Sequence, residues 1–234
     1  MDEGTTMGMV DEKAVFAKLK QLITEVCEKD LCDQIAYKEE VMDLIFQLST
    51  KQSIRDMFTF LDNKGESFLI HNIGIQAYQK KNYLMAELAF QNRSVSGDYR
   101  GNNNLAYMIR RGEITEPELY TSEDAVRLLQ DGLLVRNPFA LANMALLYGL
   151  SMEGEKKWNM ADGFIALIHK DEADDIVSWW TELSGAGETE GYLALLWFLR
   201  YGLIDETPFG DQEKLYSILR DRIPEIPEFM KEKA

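Results

Sequence analysis

The feature that most limits how this chain can fold is an internal repetition. Leu105–Ile114 (LAYMIRRGEI) aligns without a gap on Leu195–Ile204 (LLWFLRYGLI), with leucine, arginine, glycine and isoleucine identical at four positions. The pattern returns at Ala142, Asn143, Leu146 and Gly149, and in a shorter form at Ile73, Gly74 and Ala77, where Lys80 stands in place of the glycine. A second apolar pair follows each copy, in chain order Ala86 and Phe90, Ala125 and Leu129, Ala161 and Ile165, and Leu215 and Leu219. From first anchor to second the steps are 13, 20, 19 and 20 residues. Units of this size cannot close a core alone and bury their apolar faces by stacking on their neighbours.

The apolar spacing says what the units are made of. Val15, Leu19, Leu22, Ile23 and Val26, then Val41, Leu44, Ile45 and Leu48, recur at three and four residues, the period of one helix face. Alternation with period two is nowhere sustained, and Pro117, Pro138 and Pro208 fall where the helical pattern breaks. Gly65, Gly97, Gly112, Gly132, Gly149, Gly185, Gly187 and Gly202 fall between or at the ends of segments, as helix terminators do. The expectation is an all-α chain.

The short step of 13 with Gly74, Ala77, Tyr83, Ala86 and Phe90 resembles a tetratricopeptide repeat, and the steps near 20 with small anchors and a closing glycine resemble the related Sel-one-like repeat. The resemblance covers residues 66 to 222. It implies an α-solenoid, a right-handed superhelix of antiparallel helix pairs, in which Asn143 departs from the usual small residue and a surplus of one helix separates the third unit from the fourth. The expected organisation is a disordered 1–10, an N-terminal helical cap or small bundle at 11–63, an array of about four helix pairs at 64–222 with the extra helix near 172–183, and a C-terminal tail at 223–234, broken by Pro224 and Pro227 and frayed beyond them.

Composition narrows the function classes. Lys plus Arg number 25 against 40 Asp plus Glu, a net charge of -15, which argues against a general phosphate-binding surface and so against nucleic acid as partner. The longest strongly apolar run, Tyr192–Leu199, is far short of the roughly 20 residues that cross a bilayer, and Met1–Thr6 lacks the positive region and apolar run of a secretory signal. A cytoplasmic protein with no membrane partner is expected. Cys27 and Cys32, five apart on a helical stretch, point about 140° away from each other and read as two reduced thiols.

Nothing in the sequence selects a reaction. His71 and His169, the two histidines, sit in no nucleophile or metal motif, and Gly185–Gly191 has glutamates where a phosphate loop needs donors. No enzyme activity, no cofactor and no metal are expected. The repeat register, carried over from the tetratricopeptide geometry, instead lines the first helices along one concave groove. That places Ile75, Tyr107, Met144 and Trp197 in one row, Tyr78, Arg110, Leu147 and Arg200 in the next, and Gln79, Arg111, Tyr148 and Tyr201 in the third. Tyrosine, tryptophan and arginine are the residues that dominate binding hot spots.

The expected function is a non-catalytic protein-protein interaction scaffold or adaptor. It binds a partner segment, with an acidic group facing the arginines, through Tyr78, Tyr107, Arg110, Arg111, Tyr148, Trp197, Arg200 and Tyr201. The competing reading of these aromatics is packing between units. The alternative function is an acidic inhibitor or immunity-type protein that neutralises a basic partner through residues 151–190, where ten acids face three bases and Trp179 and Trp180 stand together.

Overall fold

The structure is a computed structural model that describes residues 11–28, 35–150, 157–185 and 187–234, with side chains for all of these except 26–28, 35–38, 175, 179 and 182–184. Among the described residues there are twelve α-helices, three short 3-10 helices and no strand. The thiols of Cys27 and Cys32, the side chain of Trp179 and the first ten residues lie outside the described set. No described helix is long and apolar enough to cross a membrane.

The chain divides into two compact units, one running to Met108 with Gly112–Pro117, the other made of Ile109–Arg111 and Glu118–Ala234. The first holds α1 (Glu12–Glu28), α2 (Ile35–Ile45), α3 (Lys51–Asn63), α4 (Ser67–Gln79), α5 (Tyr83–Val95) and most of α6 (Tyr99–Arg111). The second holds α7 (Ser122–Leu134), α8 (Pro138–Leu150), α9 (Trp158–Ile165), α10 (Ala173–Gly185), α11 (Thr189–Arg200) and α12 (Gln212–Arg222).

A regularity in the first unit explains much of its packing. Helices α3, α4, α5 and α6 are each 13 residues long and start at 51, 67, 83 and 99, a constant step of 16. Each is joined to the next by three residues whose middle member is left-handed: Gly65 at φ 81°, Lys81 at 59° and Gly97 at 78°. The amide after each of these donates to the carbonyl five residues back, Glu66 to Leu61, Asn82 to Ala77 and Asp98 to Arg93, at 2.8–3.0 Å. This closes the last turn and reverses the chain. The α7–α8 connection repeats the device, with Arg136 at φ 52° and Asn137 N–H donating to Gly132 at 2.8 Å. The residue that closes the turn also opens the next helix. Asn82 accepts from Met85 N–H, Asp98 from Arg100 N–H and Asn137 from Ala140 N–H.

Neighbouring helices pack on one another: α3 on α4 and α5, α4 on α5, and in the second unit α8 on α9, α10 and α11, and α11 on α9, α10 and α12. Small residues mark the closest crossings. A Cβ at Gly74 would lie 2.6 Å from the Phe90 ring, and one at Gly132 would lie 2.7 Å from Ala140 Cβ. Gly132 and Gly149 therefore act inside α7 and α8 as close-packing positions, where the sequence reads them as terminators. The first helix is pinned by Glu12, whose carboxylate accepts from Ser49 N–H at 2.6 Å and Oγ at 2.5 Å, from Thr50 Oγ1 at 2.9 Å and from Ser53 Oγ at 2.8 Å at the start of α3. The Ser49 bonds, foremost among these, hold that carboxyl down to about 2.

Candidate functional site

The eight residues expected to line a groove fall into three settings. Trp197 and Tyr107 are interior, at 0% and 6% exposure. Trp197 sits on α11 with its ring 6.2 Å from Trp158, and its Cη2 would be 3.0 Å from a Cβ at Gly149, so the glycine of the third repeat copy makes room for the indole of the fourth. Tyr107 meets Tyr78 edge-on at 5.7 Å. At that burial both rings are packing elements with little face to offer a partner. Tyr78 and Tyr148 are half-buried: Tyr78 O–H donates to Glu113 Oε2 at 2.5 Å, and Tyr148 stacks on Phe164 at 5.7 Å with 10° between the rings.

The arginines are engaged inside their own unit. Arg110 donates from Nη1 and Nη2 to the two oxygens of Glu190 at 2.6 and 2.8 Å, with side chains 8% and 14% exposed, and Arg111 Nη1 reaches Glu190 at 3.3 Å and Glu188 at 3.4 Å. Burial pushes the Glu190 carboxyl up, but the Arg110 guanidinium, by charge and hydrogen bonds, outweighs this with help from Arg111 and holds it below its ordinary value. A planar two-point pair of this kind leaves Arg110 no free fork for a partner's acid. Of the acidic stretch 151–190, Asp162 and Glu190 are likewise turned inward, while Asp171 and Asp174 are exposed.

Arg200 is placed differently. It occupies on α11 the position that Arg110 occupies on α6, and its Nε donates to Asp162 Oδ1 at 3.3 Å. Tyr201 O–H donates to the other oxygen of the same carboxylate at 2.6 Å. Burial and that hydrogen bond push the Tyr201 phenol up to about 12. With Nε fixed, Arg200 Nη1 points to main-chain carbonyls, those of Phe229 at 2.7 Å and of Glu232. Its guanidinium also lies over the Phe229 ring at 5.0 Å.

The segment after α12 is therefore packed where the sequence suggests a frayed end. Ile226 and Met230 are buried against α11 and α12, and Glu228–Lys231 forms a 3-10 turn. The signal that sequence reasoning passed over is the apolar set Ile226, Phe229 and Met230, spaced at three and four residues between charged neighbours.

Among the described residues no group of three or more His, Cys, Asp or Glu is placed to hold a metal ion. His169 is exposed, and His71 is buried beside Phe90 with its ring centroid at 6.1 Å. The chain matches no protein-family model, no curated protein and no solved structure.

Proposed function

We propose that the chain is a non-catalytic protein-protein interaction scaffold, built from helix pairs of the tetratricopeptide or Sel-one-like solenoid kind, that recognises a segment of a partner protein. The observation that carries this reading is the constant step of 16 residues across α3–α6, with the same three-residue turn at each junction. A chain that reverses at equal intervals lays equal helices side by side and so extends a surface instead of enclosing a reaction chamber. Apolar side chains left outside, Phe68 and Val95 in the first unit and Leu134 and Val135 in the second, add contact area to an otherwise strongly acidic protein.

The buried Tyr107 and Trp197 and the paired Arg110 shift the proposed contact to the partly buried members of the second unit, Arg111, Tyr148, Arg200 and Tyr201. The test uses the chain as bait in its native lysate, wild type beside Tyr148→Ala, with mass spectrometry of what each retains. Tyr148 is chosen because it is itself uncharged and its half-buried ring, stacked on Phe164, has the Lys157 ammonium over it at 5.7 Å. A protein held by wild type and lost from the variant supports the reading. Retention of nothing above a bare-resin control by either bait overturns it.

A further inference from the structure

The way the second unit holds residues 226–232 is a mode of peptide recognition. Four carbonyls of this segment accept hydrogen bonds from side chains of α11 and α12, and of these Phe229 alone also accepts a turn bond, from Glu232 N–H. Arg200 Nη1 donates to Phe229 and Glu232, Gln212 Nε2 donates to Met230 at 2.9 Å and to Glu232 at 2.8 Å, and Tyr216 O–H donates to Ile226 at 3.4 Å. Side-chain donors aimed at main-chain carbonyls read a backbone without reading its sequence. Specificity then rests on two buried apolar side chains, Ile226 and Met230, and on the Phe229 ring under the guanidinium, while Glu225, Glu228, Lys231, Glu232 and Lys233 face water.

Two features make this face a site. Asp162 fixes Arg200 through Nε and Tyr201 through its hydroxyl, so the donor stays aimed when its carbonyls leave. The segment holds little regular structure of its own, so its ties are to the face, the Ala234 N–H to the Arg200 carbonyl at 2.9 Å among them. Pro227 is extended at φ -67° and ψ 147°, as is Glu232, and between them lies a single 3-10 turn closed by Met230 N–H to Pro227 and Glu232 N–H to Phe229 at 3.1 Å. Proline removes an N–H that a helix or strand would use, which keeps the segment from merging into either.

We propose that the face formed by Arg200, Gln212 and Tyr216 is the partner site of the scaffold, occupied in the resting chain by its own residues 226–232. Its partner is a short segment that makes one 3-10 turn between extended ends and carries an aromatic residue followed by an unbranched apolar one. The partner binds by displacing the chain's own copy. This inference rests on the scaffold reading and names its site.

The test keeps the full chain. Met230→Glu places a charge where the side chain is fully buried and so frees the segment while leaving the receiving face untouched. A fluorescent peptide with the sequence of residues 223–234 is titrated into wild type, into Met230→Glu, and into Met230→Glu with Arg200→Ala, with circular dichroism verifying helical content of each. The expected result is binding to Met230→Glu at least about tenfold tighter than to wild type, because a resident segment lowers the competent fraction, and loss of binding when Arg200 is also removed. Equal binding to wild type and Met230→Glu, or binding to neither, overturns the site.

Should Met230→Glu fail to fold, native-state hydrogen exchange on wild type decides. The amides of Met230, Glu232 and Ala234 should exchange by local opening, at least about tenfold faster than those of α11, and exchange at the α11 rate overturns the proposal. A lysate partner whose capture is unchanged by Met230→Glu and Arg200→Ala leaves the scaffold function standing and removes this site from it.

Discussion

Each unit buries an arginine between helices, and the two are used in opposite ways. In the first, Arg93 on α5 lies 2.8 Å from Asp62 and 3.6 Å from Asp98, which also takes two hydrogen bonds from the Arg100 side chain at 2.9 and 3.0 Å. Its partners are carboxylates on α3 and at the start of α6, so it ties α3, α5 and the start of α6 together. In the second, Arg200 has one carboxylate, Asp162, and gives the rest of its fork to the main-chain carbonyls of Phe229 and Glu232. An arginine closed on two carboxylates is a fixed joint, since removing it strands charge in the interior. An arginine closed on one carboxylate and on main-chain oxygens can release the latter to water at little cost, and that asymmetry separates a joint from a site.

The comparison breaks most severely if the platform behind Arg200 is not solid. Trp197 precedes it by one turn and is fully enclosed, so Trp197→Ala should destabilise the second unit by about 3–5 kcal/mol, the range for deleting a large core aromatic. Urea denaturation followed by circular dichroism measures it. A loss under about 1 kcal/mol would mean that the indole is not core and would restore it to the surface as an anchor.

The arginines themselves come next. Arg93→Ala leaves Asp98, 10% exposed, without its α5 partner and should cost about 3 kcal/mol. Arg200→Ala removes hydrogen bonds whose acceptors water can reach and should cost about 1 kcal/mol, with the exchange of the Ala234 amide accelerating well beyond the global effect. Equal losses for the two variants would erase the distinction between joint and site.

Acid should act on the joint before the site. His71 on α4 is buried beside Phe90, and its Nδ1 has no hydrogen-bond partner. Burial, then the charges of Arg100 and Arg93 against the opposing Asp98, hold its pKa below the usual 6.5. The folded chain therefore binds fewer protons at this group than the unfolded chain. Stability contributed here is fully present above about pH 6.5 and is lost as pH falls below it toward the depressed folded value. Denaturant midpoints at about pH 7.5 and 5.5 should drop more for wild type than for His71→Gln. In the joint itself, burial pushes the Asp98 carboxyl up, but the hydrogen bonds and charge of Arg100 outweigh this and hold it below its ordinary value. An identical drop in both proteins would mean that His71 does not resist protonation.

The helical class was legible in the sequence because period, glycine and proline all pointed one way at once. The 16-residue step was partly legible, in Gly65 and Gly97 standing 32 apart, but the turn between them is carried by Lys81, whose left-handed conformation no side-chain rule announces. The site was harder. A repeat register assigns equivalent positions to Arg110 and Arg200, yet what an arginine does depends on which acid reaches it. Glu190 lies 80 residues from Arg110 and Asp162 lies 38 from Arg200, pairings that only the packing brings about. Burial misled in the same way: Tyr107 and Trp197 carry the composition of a hot spot and the location of a core.

The smallest expected effect asks whether the shared turn, as distinct from the arginines, is the same device in both units. Lys81 and Arg136 hold φ at 59° and 52°, where an L side chain costs about 1–2 kcal/mol and glycine nothing. Glycine returns about 0.5–1 kcal/mol of that through the greater freedom it gives the unfolded chain. Lys81→Gly and Arg136→Gly should each stabilise by about 0.5 kcal/mol, and by the same amount, because the flanking bonds from Asn82 to Ala77 and from Asn137 to Gly132 are both 2.8 Å. The double variant should add the two, the sites being in different units with no shared partner. If one glycine stabilises and the other destabilises, the basic side chain at the losing position makes a contact that outweighs its backbone strain, and the two turns are alike in geometry alone.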